Sequence, residues 1–184
     1  MTLATRPWAA EILNLWFHRL RPAQRFARDD AIDAMLAGRF GRELRMLARQ
    51  PARALLRDRQ TARAAVLLFD QVSRNTMRGS ARAFAQDRLA RAIARGTLAR
   101  GWDKGLDKPG RQFLLMPLMH SEARADQKLS LQLYARLGDA GVFGFARRHA
   151  AMVARFGRFP HRNAVLGRRS SAAERRAVAA GNAW

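Results

Sequence analysis

The chain has 184 residues, 48% of them hydrophobic, and no cysteine, so it predicts one folded domain over residues 1–184 and excludes disulfides and thiol catalysis. Its formal net charge of +21 favours partners that carry negative charge. No stretch has the ~18 apolar residues of a transmembrane helix, and the first residues lack the zones of a secretory signal, so we expect a cytoplasmic protein.

Arginine supplies nearly all of the positive charge, with 32 residues against three lysines. Because arginine binds phosphate through a planar fork that lysine lacks, this composition favours phosphorylated ligands or nucleic acid. The arginines are spread along the whole chain, which a bias toward GC-rich codons would also produce. Residues 140–184 contain nine basic residues and one acidic residue, and we expect the most basic surface there.

The spacing of hydrophobic residues predicts an all-α protein. Apolar residues recur every three or four positions, and no segment alternates with period two. About eight helices with short connectors favour antiparallel helix pairs. The predicted helices are Pro7–Leu20, Ala23–Gln50 (with a break near Gly38 and Gly41 left open), Pro51–Val72, Ala81–Arg95, Arg111–Met119, Glu122–Leu137, Val142–Phe156 and a short last helix ending near Gly181.

Caps and breakers predict where these helices begin and end. Serines favour helix starts, glycines favour helix ends, and proline interrupts a helix. We expect 97–110 to be mostly loop, and the tryptophans of the first helix to be buried. The predicted caps and ends are Ser80, Gly96, Pro117, Ser121, Gly138 and the capping box of Ser171 with Glu174, and the predicted buried face of the 142–156 helix is Phe145, Met152 and Val153.

The segment Arg155–Gly167, with the sequence RFGRFPHRNAVLG, is rich in hydrogen-bond donors. It combines three arginines, a histidine and an asparagine with two phenylalanines around a glycine and a proline. A turn of this composition is suited to holding an anion.

Polar residues that could carry function lie at predicted helix ends or connectors, where functional groups are common. We expect their three segments to surround one pocket, although ordinary ion pairs and turns would explain the same residues. The candidate ligand-binding residues are Asp70, Gln71, Arg74, Asn75, His120, Glu122, Asp126, His149, Arg158, His161, Arg162 and Asn163. No catalytic residue, cofactor or metal ligand is assigned.

Three segments resemble the bacterial domain-of-unknown-function 924 family. They read LLFDQVSRNTMRGSARAFAQD (67–87), LMPLMHSEARADQ (115–127) and RHAAMVARFGRFPHRNAVLGR (148–168), and the motif FGRFPHRN is long and unusual. The chain departs from the family pattern at Val72 and Ser73, where an aromatic residue and a proline are usual, and at MPLM, where the family has LPF. The resemblance implies a fold similar to tetratricopeptide-like helical domains, and it implies no function.

Three functional hypotheses remain open on the sequence. The first is binding of a small anionic or phosphorylated ligand by the arginines, which Glu122 and Asp126 would oppose unless they pair with those arginines. The second is a non-catalytic module that binds protein in a helical groove or nucleic acid without sequence preference. The third is a metal-assisted hydrolase using His120 and Glu122 with His149 and His161. The oligomeric state is not predicted.

Overall fold

The computed structural model describes residues 6–181, and in this range the chain is all-α, without a β-strand. The all-α prediction is therefore confirmed. The helices are α1 Pro7–Asn14, α2 Asp30–Leu47, α3 Ala52–Leu55, α4 Arg59–Val66, α5 Ser73–Thr76, α6 Asp87–Ala99, α7 Lys108–Met119, α8 Arg124–Leu137, α9 Ala140–Phe156 and α10 Ala172–Ala179. Two π-helical segments (Leu15–Arg19 and Leu67–Val72) and three 3-10 turns (Pro22–Arg25, Ala81–Phe84 and Pro160–Arg162) complete the helical structure.

The chain forms two compact units. The described part of the first unit is 6–78 and 82–117, and that of the second is 79–81 and 118–181. The single-domain organisation and the tetratricopeptide-like arrangement both stay predictions. Within the described range, no helix combines the length and apolarity that crossing a membrane requires.

The first unit is built around α4 and the π-helical segment that follows it. Helix α4 packs against α1 and α6, and the π-helical segment packs against α2. Leu67, Leu68 and Phe69 are at most 1% exposed, as expected for a helix that is apolar on most sides. Trp16 is fully buried and meets the edge of Phe113 at a centroid distance of 5.5 Å.

The second unit is built around the helical hairpin of α8 and α9. Gly138 ends α8 with φ at +69°, a conformation that glycine adopts without strain, and Asp139 caps α9 by accepting from the amide of Val142. The guanidinium of Arg124, at the start of α8, lies near the carbonyl of Ala154, at the end of α9, so the two helices are antiparallel. A small core of Met152, Val153, Phe159 and Ala177 joins α9 to α10.

The two helices predicted between Ala23 and Val72 have different bounds in the structure. Helix α2 begins only at Asp30 and runs unbroken through Gly38 and Gly41. The predicted helix from Pro51 to Val72 is wrong as one element, because Asp58 accepts from the amide of Thr61 and starts a new helix after α3. That carboxylate is a helix cap that sequence reasoning missed.

Gly96 does not end a helix, because α6 continues through it to Ala99. A Cβ at this position would lie 2.4 Å from Cδ1 of Leu56, so alanine fits here only if the Leu56 side chain moves. Pro117 lies inside α7, where it removes one backbone bond without stopping the helix.

Further predictions fail near helix starts and on the exposed face of α9. The helix predicted after Ser80 is a 3-10 turn followed by α6, which begins at Asp87. Ser121 does not occupy the cap position of α8, which belongs to Ala123. Phe145 is 47% exposed rather than buried. The capping box of Ser171 with Glu174 is confirmed.

Gly38 and Gly96, two of the helical glycines without positive φ, should respond oppositely to alanine. Gly38→Ala adds a Cβ with no atom within 4 Å, so it should raise the free energy of unfolding by about 0.5–1 kcal/mol through helix propensity. Gly96→Ala should lower it by about 1 kcal/mol, because overpacking against Leu56 outweighs that gain.

Urea denaturation of both single variants measures these two changes in the free energy of unfolding. Adding Leu56→Ala should make the Gly96→Ala substitution stabilising, because the clash is removed. Equal stabilisation by the two alanines in the wild-type background would contradict the proposed contact.

Candidate functional site

The turn between α9 and α10 organises the polar side chains of the second unit. Helix α9 ends at Gly157 with φ at +71°, and the chain then turns through the 3-10 segment Pro160–Arg162. Phe159, at the start of that turn, is fully buried. The donor-rich stretch of the sequence therefore wraps around one buried ring.

Glu122 fixes this turn from the segment before α8. Its Oε1 accepts from the amide of Phe159 at 2.8 Å, and its two oxygens accept from Nη1 and Nη2 of Arg168 at 2.8 and 2.9 Å. Nη2 of Arg168 also donates to the carbonyl of Phe159 at 3.1 Å. Burial raises the pKa of Glu122, but the hydrogen bonds from Arg168 and Phe159 outweigh it, so the pKa lies below its ordinary value.

A second ion pair connects the same turn to α10. Arg158 donates from Nε and Nη2 to the two oxygens of Glu174 at 2.7 and 3.0 Å, and from Nη2 to the carbonyl of Arg169 at 2.9 Å. The bonds from Arg158, and then from the amide of Ser171, lower the pKa of Glu174 to about 2. Asn163 adds a bond from Nδ2 to the hydroxyl of Ser170 at 3.0 Å. Arg158 and Asn163 thus hold the turn against α10.

Two histidines and one arginine lie around the ring of Phe159, and a third histidine lies beside one of them. We call His120, His149, His161 and Arg162 the basic cluster. The ring centroid of Phe159 lies 5.5 Å from that of His149 and 5.7 Å from that of His161. The guanidinium carbon of Arg162 lies 4.6 Å from the same centroid. His120 extends the cluster through His149, at a centroid distance of 5.9 Å.

His149 is the most buried histidine of the cluster, at 4% exposed. Burial first, and then the positive charge of His120, lower its pKa to about 3, and His161 and Arg162 add to the effect. His149 is therefore neutral at pH 7, with Nδ1 donating to the carbonyl of Phe145 at 2.9 Å. That bond assigns the ring proton to Nδ1 and the lone pair to Nε2.

Asp126 and Ser121 form a separate buried contact at the start of α8. Ser121 Oγ donates to Asp126 Oδ2 at 2.7 Å and accepts from the amide of Ala123 at 3.1 Å. Gln127, which sequence reasoning missed, donates to the carbonyls of Met119 and Ser121. These bonds satisfy the backbone between α7 and α8.

The candidates before residue 80 lie in the first unit and form their own network. Arg74 Nη1 lies 3.1 Å from Asp70 Oδ1, four residues earlier, and Arg74 Nη2 lies 2.9 Å from Asp87 Oδ1. Gln71 Nε2 donates to Asp70 Oδ2 at 2.6 Å, and Asn75 Oδ1 accepts from Arg78 at 3.2 Å. Asp70 and Gln71 lie on the π-helical segment, an irregularity that is frequent at functional sites.

The structure therefore brings together four of the predicted residues as the basic cluster. Three more, Glu122, Arg158 and Asn163, form the hydrogen bonds that hold the turn between α9 and α10. A ligand site made of all twelve residues stays a prediction. Arg168, which pairs with Glu122, also holds this turn, and sequence reasoning missed it. No sequence signal distinguishes it from the other arginines among the 32 in the chain. Among residues 6–181, no group of three or more histidine, aspartate or glutamate side chains is arranged to hold a metal ion.

Replacing His149 should flatten the pH dependence of stability. The folded pKa of about 3 lies below the ordinary 6.5, so the unfolded chain takes up a proton first as the pH falls. Stability is therefore full above about pH 6.5 and is lost at about 1.4 kcal/mol per pH unit toward pH 3. Between pH 7.5 and 4.5, wild type should lose about 2–3 kcal/mol more than His149→Met.

Urea unfolding at several pH values measures this difference. The exposed His18 provides the control, and His18→Gln should keep the wild-type dependence. If the free energy of unfolding changes with pH equally in wild type and His149→Met, His149 is not held neutral by its surroundings.

Comparison with known proteins identifies the family but no activity. The sequence model of DUF924, described as a bacterial protein of unknown function, matches residues 12–182. A solved structure of a protein of unknown function from Agrobacterium tumefaciens is 35% identical, with a TM-score of 0.87, and the match covers 92% of this chain and 96% of that one. None of the curated proteins matches the chain.

Proposed function

The chain belongs to the bacterial family DUF924, whose function is unknown, and we propose that its second unit binds a small phosphorylated or otherwise anionic ligand at the basic cluster. The proposal rests on the convergence of His149, His161 and Arg162 on the Phe159 ring, with His120 beside His149. The guanidinium of Arg162 supplies a positive charge beside the polar groups of three imidazoles, and this combination favours an anion.

The balance of charge within the second unit supports an anion rather than a cation. Glu122 and Glu174, the carboxylates nearest the turn, form two-point ion pairs with Arg168 and Arg158. Asp126 accepts from Ser121. The repulsion that these acids would exert on an anion is thereby reduced, while the cluster adds positive charge beside them.

The chemistry of the cluster fits a phosphate group. Arg162 has a planar fork of N–H donors. Because its guanidinium lies over the Phe159 ring, the side chain has little rotational freedom to lose when a ligand binds. His120 and His161 are half-buried, so solvent and solutes reach part of the cluster. Neutral His149 contributes a fixed dipole without a further charge to desolvate.

Replacing Arg162 or His161 should weaken the binding of phosphate compounds. Inorganic phosphate and phenyl phosphate should raise the thermal midpoint of the wild type, because a ligand that binds only the folded state stabilises it. Arg162→Gln and His161→Asn should each weaken binding by about tenfold or more, measured by calorimetry.

Arg155→Gln is the matched control, because Arg155 is exposed on α9 and its loss changes the net charge equally. Should Arg162→Gln fail to fold, the half-buried His161 still provides the test. Equal weakening by the Arg155 control, or no thermal shift in wild type, would reject the site.

The surface of the second unit supports nucleic-acid binding as a second candidate function. Phe145 is 47% exposed, and the guanidinium carbon of Arg148 lies 4.3 Å from its ring centroid, an arrangement that can stack on a base. In the described part of this unit, Asp139 is the exposed acidic residue. The exposed basic residues are Arg124, Lys128, Arg136, Arg147, Arg148, Arg155, Arg169, Arg175 and Arg176.

Neutralising the arginines of α9 should weaken binding to single-stranded DNA and reduce its salt dependence. The variant Arg147→Gln/Arg148→Gln/Arg155→Gln should lower the slope of log affinity against log salt by about 2, since each lost phosphate contact removes about 0.7. Fluorescence anisotropy of labelled single-stranded DNA, recorded across a series of salt concentrations, measures this slope.

A control with the same charge change lies on the first unit. Arg42, Arg45 and Arg49 are exposed along α2 and just after it, and their replacement by glutamine should leave the slope near wild type. Equal effects of the two triple variants would indicate attraction by net charge alone and would reject α9 as the interface.

A further inference from the structure

A pocket of about 400 Å³ opens in the first unit, and none of its lining residues belongs to the turn motif. It lies between α1 with its π-helical extension, α4, and the residue before α7. The volume is within the lower part of the range for small-molecule sites, roughly 300–1,000 Å³. The pocket is lined by Ala10, Leu13, Asn14, Phe17, His18, Gln60, Arg63 and Asp107.

Arg63 is a cation without an ion-pair partner in this pocket. Within residues 6–181, its only hydrogen bond runs from Nη1 to Oε1 of Gln60 at 3.0 Å, and no carboxylate oxygen lies within 4 Å of it. Its Nε is buried without an acceptor. Its guanidinium carbon lies 5.3 Å from the centroid of Phe17. A guanidinium that is partly buried and has only one hydrogen-bond acceptor is stabilised when an anion binds to it.

Arg25 adds a second positive charge on the same ring. Its guanidinium carbon lies 5.7 Å from the centroid of Phe17, and Nη2 donates to the carbonyls of Phe17 and Leu20 at 3.0 and 3.1 Å. Asp107 interacts electrostatically with both arginines, but burial outweighs its attraction and the pKa of each arginine lies below the ordinary value. Two partly buried arginines thus share one carboxylate, which leaves a net positive charge among these three groups.

We propose that this pocket binds a small organic carboxylate with a short apolar tail. The carboxylate accepts from the fork of Arg63, and the amide groups of Asn14 and Gln60 lie on the pocket wall as further polar groups. The tail packs against Ala10, Leu13 and the ring of Phe17.

The single negative charge of a carboxylate suits this site better than a phosphate dianion. Asp107 lines the pocket and repels any anion in it, and this repulsion doubles for a dianion. The side chain of Asp107 cannot rotate out of the pocket without breaking a hydrogen bond, because its Oδ1 accepts from the amide of Gly110 at 2.9 Å in the first turn of α7. Gly110 also keeps the site compact, since a Cβ there would lie 2.6 Å from Asp107 Oδ1 and 3.1 Å from Arg63 Nη2.

Ligand-observed NMR with acetate, hexanoate and inorganic phosphate tests the proposal on the full chain. Hexanoate should bind the wild type more tightly than acetate, because its tail buries apolar surface, and phosphate should not displace it. Arg63→Gln should weaken hexanoate binding by about tenfold or more. Ala10→Phe should fill the apolar part of the pocket and weaken hexanoate more than acetate.

Two controls separate this site from general charge and from the basic cluster. Arg53→Gln removes an exposed arginine of α3 and should leave hexanoate affinity unchanged. His161→Asn, in the second unit, should also leave it unchanged, so this pocket and the phosphate site can fail independently. If Arg63→Gln does not fold, Arg63→Lys serves, and it should weaken binding because lysine lacks the fork.

Two results would overturn the proposal. One is the absence of hexanoate binding at millimolar concentrations in the wild type. The other is hexanoate binding that Arg63→Gln, or Arg63→Lys in its place, and Ala10→Phe leave unchanged.

Discussion

The carboxylate of Glu122 binds the amide of Phe159 and both terminal nitrogens of Arg168, and the position of the basic cluster depends on these bonds. They hold the start of α8 against the turn that follows α9. Phe159 is thereby fixed in the core formed with Met152 and Val153. Since His149, His161 and Arg162 all lie against its ring, one buried phenylalanine determines where the polar groups of the second unit meet.

The same unit uses its few acids for structure. Glu122 pairs with Arg168, Glu174 pairs with Arg158, and Asp139 caps α9. Glu122 and Glu174 are therefore paired with arginines that lie outside the basic cluster. In the first unit, the acid nearest Arg63 likewise has a structural task, since Asp107 caps the first turn of α7. Both proposed anion sites therefore depend on which groups the acids bind, as well as on the positions of the arginines.

Helix periodicity and turn residues predict much of the fold, and long-range packing explains the rest. The α8–α9 hairpin and the capping box of α10 follow from local signals at Gly138 and Ser171. The path of α6 does not, because Gly96 is a packing glycine whose neighbour, Leu56, lies forty residues earlier. The break between α3 and α4 depends on the side chain of Asp58, which the apolar pattern around it conceals.

The residues of the basic cluster are predictable from the sequence because the motif FGRFPHRN is unusual and histidines are few. Their geometry is not predictable, since it depends on Glu122 and Arg168, which are 46 residues apart. Arg63 is also indistinguishable in the sequence from the other arginines. Only its contacts with Gln60 and Phe17, and its lack of an ion pair within the described residues, set it apart.

Four histidines distributed over both units allow one spectrum to test the central claim. Side-chain 1H–15N correlation spectra, recorded during a titration with inorganic phosphate at constant pH and ionic strength, follow all four rings at once. The account predicts saturable shifts of His120 and His161, a neutral His149 with its proton on Nδ1, and an unshifted His18. Shifts of equal size at all four rings, or no shift at His120 and His161, would contradict an anion site around Phe159.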